Sequence, residues 1–177
     1  MITYVTTYLS EEHEVIQNTE RATELSEINT FEKTIVYKYT KDAFQELNQD
    51  LLKNGGQNDS PFGTFLEMTL DKLPSYRDIV YRGTFLSPKA LEKYTTALEK
   101  GTDVTEHSFF STSKSRSIAE GFGTTLLRIV SKNGKEIEKI SKFGIHENPN
   151  EQEVLFKLNS TFSVLSIEGN LITLEEI

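Results

Sequence analysis

The chain carries three short β-prone segments in this order: Val80-Tyr81-Arg82-Gly83, then Phe110-Ser111-Thr112-Ser113, then Glu151-Gln152-Glu153-Val154-Leu155. Each combines apolar or aromatic residues, which favour strands, with polar groups of one kind. An arginine, a run of hydroxyls and a pair of carboxylates therefore follow one another on predicted strands. Because strands hold side chains on a rigid scaffold, these groups are the first candidates for a functional site.

The last segment is the most informative, since it places two carboxylates two residues apart. On a strand, Glu151 and Glu153 point to the same face, roughly 6–7 Å apart, and Gln152 points to the other. Two carboxylates this close repel each other, so the pKa of one is expected to rise. The pair suits a site where positive charge is present or develops. Taken alone, the same pattern is typical of a solvated strand edge.

The other two segments supply groups that bind polar ligands. The planar guanidinium of Arg82 suits bidentate binding of phosphate, and Gly83 leaves room for a ligand to approach the backbone. The hydroxyls of Ser111 to Ser113 can orient a carboxylate or a ribose through hydrogen bonds. Each segment also has a plainer interpretation: a surface arginine at a strand end, and a strand that leads into a helix N-cap. Only their combination favours a functional site.

Length and composition indicate one globular domain. Its 177 residues, 36% of them hydrophobic and 26% charged, are sufficient for a single core and are not typical of disorder. The net charge of −8 argues against broad binding to nucleic acid or anionic membrane, which requires a positive surface. The absence of cysteine excludes disulfides, thiolate metal sites and a cysteine nucleophile.

Neither a signal peptide nor a membrane span is expected. The first eight residues lack the basic and apolar regions of a signal peptide, and no run approaches the roughly 20 apolar residues of a span. We therefore expect a soluble chain, either by itself or as a domain of a longer secreted protein. His13, His107 and His146 do not show metal-ligand spacing, so no metal is predicted.

Local patterns predict helices in the first part of the chain and strands in the second. Capping residues and apolar periodicity predict helices over 10–27, 41–53, 65–73, 88–100 and 113–119, with Thr40 and Ser113 as caps. Strands are predicted over 78–83, 105–111, 124–130, 136–140, 151–157, 161–167 and 171–174.

This order of elements indicates an α+β protein with a single domain over 1–177, mainly helical in 1–75 and mainly β in 76–177. We expect two packed, mostly antiparallel sheets with N-terminal helices on one side. No Gly-x-Gly-x-x-Gly lies between a strand and a helix, so a Rossmann dinucleotide site is not expected.

The three segments together resemble the Arg-Ser-Glu class of mono-ADP-ribosyltransferases, which includes actin-modifying bacterial toxins and arginine-specific ecto-enzymes. The resemblance extends to Tyr39-Thr40-Lys41 with Leu47-Asn48, and to Phe162-Ser163-Val164 after the Glu-x-Glu strand. It covers roughly residues 37–167. It implies an ADP-ribosyltransferase-like fold and an enzyme that cleaves NAD and transfers its ADP-ribose.

The resemblance also implies a role for each site residue. Arg82 would hold the NAD phosphates and ribose, the backbone of Gly83 would bind the nicotinamide amide, and Ser111 would orient the nicotinamide ribose and the catalytic glutamate. Glu153 would bind the ribose 2′-hydroxyl and stabilise the oxocarbenium-like state as nicotinamide departs. Glu151 would face the acceptor and help take its proton. A glutamate rather than a glutamine at that position implies arginine as the acceptor.

Two aromatic residues are assigned on the same basis. Phe122 resembles the aromatic that packs on the nicotinamide side in toxin members, and a core phenylalanine is the alternative. Phe143 lies in the loop before Glu151, which in the family contacts the protein substrate. Further candidates in that loop are Lys142, His146 and Asn148. The loop looks longer than in the ecto-enzymes, and Gly83 stands where several actin-modifying toxins carry a second arginine, so no particular target is implied.

The leading hypothesis is an NAD-dependent mono-ADP-ribosyltransferase that modifies an arginine of a target protein. Two settings are open: a bacterial toxin or effector that acts in the target-cell cytoplasm, and a phage enzyme that modifies host proteins. An NAD glycohydrolase, with water as the acceptor, is the alternative activity. A catalytically dead binding module is disfavoured by the intact Arg82, Ser111 and Glu153, and a glycosidase by the placement of both carboxylates on one face. A neutralising partner is left open.

Overall fold

The computed structural model describes residues 1–177 and packs helices against a nine-stranded sheet. The helices are α1 (Ile2–Tyr8), α2 (Ser10–Gln17), α3 (Thr30–Lys38), α4 (Phe44–Lys53), α5 (Pro61–Lys72), α6 (Pro88–Lys100) and α7 (Arg116–Glu120). The strands are β1 (Ser75–Tyr76), β2 (Ile79–Thr84), β3 (Asp103–Glu106), β4 (Phe110–Ser113), β5 (Thr125–Val130), β6 (Gly134–Glu136), β7 (Glu153–Phe156), β8 (Ser160–Glu168) and β9 (Leu171–Glu176). No helix has both the length and the apolarity needed to cross a bilayer.

Helices α3 and α4 form one nearly continuous run, joined by a π-turn over Tyr39–Ala43. Asn29 begins the run with a capping box, in which its side chain accepts backbone N–H bonds and Glu32 accepts from the Asn29 N–H. The prediction that Thr40 caps a separate helix is wrong, because the chain continues through the π-turn without leaving helical geometry. Single π-turns of this kind often lie at functional sites.

The predicted helix over 10–27 is wrong beyond Gln17. Thr19 adopts an extended backbone, a 3-10 turn follows over Glu20–Ala22, and Leu25 takes a positive φ of 49°. These breaks turn Arg21 inward, where only 3% of it is exposed.

Helix α5 begins earlier in the chain than predicted, because Ser60 caps it and Pro61 occupies the first helical position.

Two predicted strands are shorter or divided. The stretch 105–111 splits into the ends of β3 and β4, because β3 pairs with β8 whereas β4 pairs with β7. The predicted strand over 136–140 ends at Glu136, since the N–H groups of Ile140 and Ser141 both bond back to the carbonyl of Ile137 and form a turn.

The strand order is β1-β6-β7-β4-β2-β5-β9-β8-β3, and every pair is antiparallel except β5–β9. A single residue pair, Tyr81 with Ser113, joins β2 to β4. The α+β class is therefore confirmed, and the two expected sheets are two halves of one hydrogen-bonded sheet: β1-β6-β7-β4 and β2-β5-β9-β8-β3.

The two halves pack on each other through an aromatic cluster. Phe110 and Phe156 lie in one half and Phe162 in the other, with ring centroids 5.3 to 6.3 Å apart. All three rings are buried. A second apolar core lies between the N-terminal helices and the first half, where Phe109 and Leu155 contact helical residues. The half that carries β4 and β7 is thus covered on both faces.

We expect Phe156→Ala to lower the free energy of unfolding by about 3–5 kcal/mol, because it opens a cavity between the two halves. Urea unfolding followed by circular dichroism measures this change. Leu165→Ala in β8 is the control, since 49% of Leu165 is exposed and its loss should cost much less. Equal effects of the two substitutions would contradict the proposed packing.

Candidate active site

The three segments singled out in the sequence meet where the two sheet halves join. Strand β4 lies between β2 and β7, so it places Ser111 between Arg82 and Glu153. These residues open onto a cleft of about 490 Å³. The cleft is lined by all seven predicted site residues: Arg82, Gly83, Ser111, Phe122, Phe143, Glu151 and Glu153. Their shared location is a structural observation, whereas their individual roles stay predictions.

Arg82 is fixed from two sides. Its Nη1 donates to the carbonyl of Ser111 at 2.6 Å, and its guanidinium carbon lies 4.6 Å from the ring centroid of Phe110. Contact with an aromatic face stabilises a guanidinium and restricts its orientation. The arginine is therefore held on the scaffold, while most of its donors stay available to a ligand.

The hydroxyls of the Ser-Thr-Ser segment have different functions in the fold. Thr112 is buried and donates to the carbonyl of Val154 at 2.6 Å, and Ser113 donates to the carbonyl of Glu151 at 2.7 Å. Both therefore tie β4 to the Glu-x-Glu segment, whereas the hydroxyl of Ser111 lowers the pKa of the buried Glu153. Ser113 is the predicted cap of the following helix, but Ser115 caps it: the helix begins at Arg116, and the Ser113 oxygen accepts from the backbone N–H of Ser115 at 3.0 Å.

The two glutamates reach the cleft in a way that strand alternation does not describe. Gln152 has a φ of +50°, so the predicted strand over 151–157 begins only at Glu153. The backbone N–H of Glu151 donates to the carbonyl of Phe143 at 2.8 Å, and the carbonyl of Gln152 accepts from Lys114. Glu151 is thus held by the loop and Glu153 by the sheet, and both line the same cleft.

Burial dominates the electrostatics of this pair. Only 6% of Glu153 is exposed, and burial, with a smaller contribution from Glu151, raises its pKa to about 7. The hydroxyls of Ser111 and Ser141 and the charge of Arg82 lower this pKa and offset part of the effect. Burial also raises the pKa of the half-buried Glu151. The direction agrees with the predicted rise, although desolvation contributes more than repulsion between the carboxylates.

Tyr39 and Asn48 also line the cleft, and no sequence pattern assigns them a role there. Asn48 donates to the Tyr39 hydroxyl at 3.1 Å and makes two hydrogen bonds with the backbone of Phe109, each 3.2 Å long. Helix α4 is thereby tied to the strand that carries Ser111. Burial and the charge of Glu153 raise the pKa of the Tyr39 hydroxyl, so it stays protonated. The sequence signal that could have identified Asn48 is its amide side chain next to the apolar helix face formed by Leu47 and Leu51.

A glycine is required at position 83 for a different structural reason from the one predicted. A Cβ atom on Gly83 would lie 1.8 Å from the carbonyl oxygen of Ala119, so α7 fills the side of the backbone on which a side chain would stand, while Gly83 still lines the cleft. A Cβ on Gly123 would likewise lie 2.2 Å from the backbone of Thr84. The chain around α7 therefore packs directly against β2 and presents Phe122 to the cleft. The alternative of a core phenylalanine is wrong, since 55% of Phe122 is exposed.

Two further aromatic residues line the cleft, and neither is among the residues predicted from the sequence. Phe85 is 74% exposed at the end of β2, and Phe44 is 38% exposed at the start of α4. Apolar rings at the mouth of a polar cleft are suited to stacking on flat ligands. No group of three or more His, Asp or Glu side chains is arranged to hold a metal ion, and the expectation of a metal-free site stays a prediction.

Comparison with known proteins identifies the family. A family model described as ADP-ribosyltransferase exoenzyme matches residues 12–175. A curated relative, the putative NAD(+)–arginine ADP-ribosyltransferase Mav of Mycobacterium avium strain 104, is 35% identical over 133 residues. The match covers 72% of this chain and 15% of Mav, so the chain spans only a small part of that relative's length.

Solved structures show the same fold. ADP-ribosyltransferase HopU1 of Pseudomonas syringae superposes with a TM-score of 0.78 at 20% identity, over 95% of this chain and 87% of HopU1. ADP-ribosyltransferase Vis of Vibrio splendidus, in complex with agmatine, superposes with a TM-score of 0.69 at 23% identity, over 95% of this chain and 85% of Vis.

We expect Gly83→Ala to destabilise the protein by about 1–3 kcal/mol or more, because the added methyl group overlaps a backbone carbonyl that cannot move without displacing α7. Thermal unfolding measures the loss. Gly121→Ala is the control, because Gly121 has an ordinary φ of −70°. A Cβ atom added there would lie 3.2 Å from its nearest neighbour, the carbonyl oxygen of Ile118. A Gly83→Ala protein as stable as the Gly121→Ala protein would contradict the close approach of α7.

Glu153→Gln is expected to stabilise the protein above neutral pH. The pKa of Glu153 is about 7 in the folded state, above its ordinary value of 4.5, so the folded state binds the proton more tightly than the unfolded state. Wild-type stability therefore falls as pH rises from 4.5 to about 7. Glutamine removes this loss, which is on the order of 3 kcal/mol.

Denaturant unfolding of both proteins across this pH range measures the effect. The gain of the variant should be largest near pH 8 and fade towards pH 5, roughly following the ionisation of the carboxyl. Glu168→Gln at an exposed position is the control and should show no such trend. A gain that does not depend on pH would contradict the raised pKa.

Proposed function

This chain belongs to the ADP-ribosyltransferase exoenzyme family, and on that premise we propose that it transfers ADP-ribose from NAD to an arginine of a target protein. The observation that carries the proposal is the convergence of one arginine, one serine hydroxyl and two carboxylates on a single cleft. The cleft also has exposed aromatic rings at its mouth.

NAD is bound, in this proposal, by the β2 and β4 segments. Arg82 uses one N–H donor on the carbonyl of Ser111, so its remaining donors can bind the phosphate oxygens in the planar, bidentate geometry that a guanidinium favours. The Ser111 hydroxyl and the backbone of Gly83 hold the nicotinamide ribose and the nicotinamide amide. Phe122 supplies an exposed ring for the nicotinamide side of the ligand.

Glu153 stabilises the departure of nicotinamide. The bond between ribose C1′ and the nicotinamide nitrogen breaks, its electron pair goes to the nicotinamide, and the ribose gains oxocarbenium character. A buried carboxylate beside that carbon stabilises the charge strongly, because no water screens it. Glu153 has to be ionised for this role, and the Ser111 hydroxyl and the charge of Arg82 favour that form.

Glu151 prepares the acceptor. A guanidinium is protonated at neutral pH and becomes a nucleophile only when a base draws on its proton. Glu151 lies at the loop end of the site and is half-buried, so burial raises its pKa and makes it a stronger base. The guanidine nitrogen then bonds to C1′, and its proton passes to Glu151. Mav is named for an arginine acceptor, and Vis was crystallised with agmatine, a guanidino compound.

The biological setting we propose is that of a toxin or effector that modifies proteins in the cytoplasm of a target cell. Vis is called a toxin, and this chain shares its fold. Phe143 lies beside Glu151 in the loop and is a contact for the target protein in this proposal. The phage setting finds no support in the relatives described above.

The test compares wild type with Glu151→Gln and Glu153→Gln, using labelled NAD and agmatine. Wild type should label agmatine. Glu151→Gln should lose at least ~100-fold of that transfer but keep releasing nicotinamide, because it removes only the base. Glu153→Gln should lose both activities by a similar or larger factor, because it removes the stabilising charge.

Glu168→Gln, at an exposed position on β8, is the matched control and should behave as wild type. Brisk nicotinamide release without labelled agmatine would indicate an NAD glycohydrolase or another acceptor. No turnover of NAD by the wild-type protein would refute the proposed activity.

A further inference from the structure

Ser141 is a fully buried serine whose hydroxyl contacts Glu153. Its Oγ lies 3.4 Å from Oε2 of Glu153 and accepts a hydrogen bond from the backbone N–H of Phe143 at 3.2 Å. Because that N–H occupies a lone pair, the hydroxyl proton is free to point at the carboxylate. Glu153 thus meets a second hydroxyl in addition to that of Ser111, and it comes from the turn after β6 rather than from β4.

The position of Ser141 is in turn set by Arg21. The Nε and Nη2 atoms of Arg21 donate to the carbonyl of Ser141 at 3.3 and 3.2 Å, and Nη2 also lies 3.4 Å from Oε1 of Glu147. The guanidinium carbon lies 5.3 Å from the ring centroid of Tyr37. Only 3% of Arg21 is exposed, and burying a guanidinium is costly unless its donors are used. Here two of them are used on one backbone carbonyl beside the site.

We propose that Arg21 and Ser141 are positioning residues for Glu153: Arg21 fixes the backbone of Ser141, and the Ser141 hydroxyl orients the carboxylate and favours its ionised form. This inference rests on the proposed function, in which Glu153 acts as the ionised carboxylate. It assigns the buried arginine of the helical part to the active site, 132 residues before the glutamate on which it acts.

The other groups that face Glu153 determine how visible the effect is. Glu151 disfavours its ionised form, Arg82 and the Ser111 hydroxyl favour it, and the protonated Tyr39 hydroxyl lies nearby. Loss of the Ser141 hydroxyl leaves only Ser111 and Arg82 to offset burial. The pKa of Glu153 should then rise above its present value of about 7.

Ser141→Ala tests the inference, and Ser131→Ala is its matched control. Ser131 is also buried in a turn, donates to the carbonyl of Tyr76 at 2.8 Å and accepts from the N–H of Gly134 at 3.2 Å, but it does not line the cleft. Both variants lose one buried hydroxyl with similar local hydrogen bonding. Any general effect of such a loss on stability should therefore appear in both.

Two measurements are made on each protein. The first follows the side-chain carboxyl of Glu153 by carbon-13 NMR during a pH titration, with the signal identified by its absence in Glu153→Gln. The second records nicotinamide release from NAD against pH. In Ser141→Ala we expect the Glu153 pKa and the acid limb of the rate profile to move up together by about half a pH unit. The rate near pH 6 should fall roughly threefold, and the rate near pH 9 should be close to that of wild type.

Ser131→Ala should change neither the Glu153 titration nor the acid limb. An unchanged Glu153 pKa in Ser141→Ala would overturn the inference, as would an equal change in both variants. Arg21→Lys keeps the charge but not the planar fork, so the Glu153 pKa should move in the same direction as in Ser141→Ala. If Arg21→Lys lowers thermal stability and leaves that pKa unchanged, the assignment of Arg21 is wrong.

The NMR titration separates this inference from the proposed function. A wild-type protein that does not turn over NAD refutes the function, yet the effect of Ser141→Ala on the titration still decides whether the contact controls Glu153. A protein that turns over NAD with no change in the titration refutes the positioning role alone.

Discussion

A single residue pair between β2 and β4 is the constraint on which the rest of this structure depends. The pairing of Tyr81 with Ser113 is the only link that joins the two sheet halves by their strands, and the halves diverge from it to pack their faces together. The divergence opens the cleft, because side chains on strands that separate no longer have a paired strand beside them. Arg82 and Ser111 lie next to this junction, and the hydrogen bond between them closes it.

The cost of this arrangement is concentrated in one carboxyl group. Burial of Glu153 opposes its ionisation, while two hydroxyls and one guanidinium favour it. The outcome is a pKa near 7, a balance that a fold selected for stability alone would avoid. The surrounding contacts of Thr112, Ser113 and Asn48 fix the strands and the helix that hold these opposing groups at their distances.

Local chemistry made much of the fold predictable. Ser87, Pro88 and Gly101 specify the ends of α6 through cap geometry that involves only neighbouring residues, and the predicted bounds agree with the structure. The three site segments were found because each combines a strand pattern with one reactive group. The predictions that are wrong concern features that depend on distant contacts. Thr40 does not begin a new helix because α3 and α4 pack as one run, and Ser113 donates to a partner 38 residues away rather than capping α7. The left-handed backbone of Gln152 and the filled space beside Gly83 have no local signal either. Tyr39, Asn48 and Ser141 were missed for the same reason, since each reaches the site through tertiary packing.

In the proposed function, the near-neutral pKa of Glu153 has a consequence for the thermodynamics of NAD binding. At neutral pH the free protein is a mixture of molecules with and without a proton on this carboxyl. A ligand with a cationic nicotinamide ring selects the ionised form, so its binding releases part of a proton to the solvent. The observed heat of binding then includes the ionisation heat of the buffer, and the apparent affinity rises with pH up to the point where the carboxyl is fully ionised. A cleft that binds NAD as proposed therefore couples its occupancy to the acidity of its surroundings.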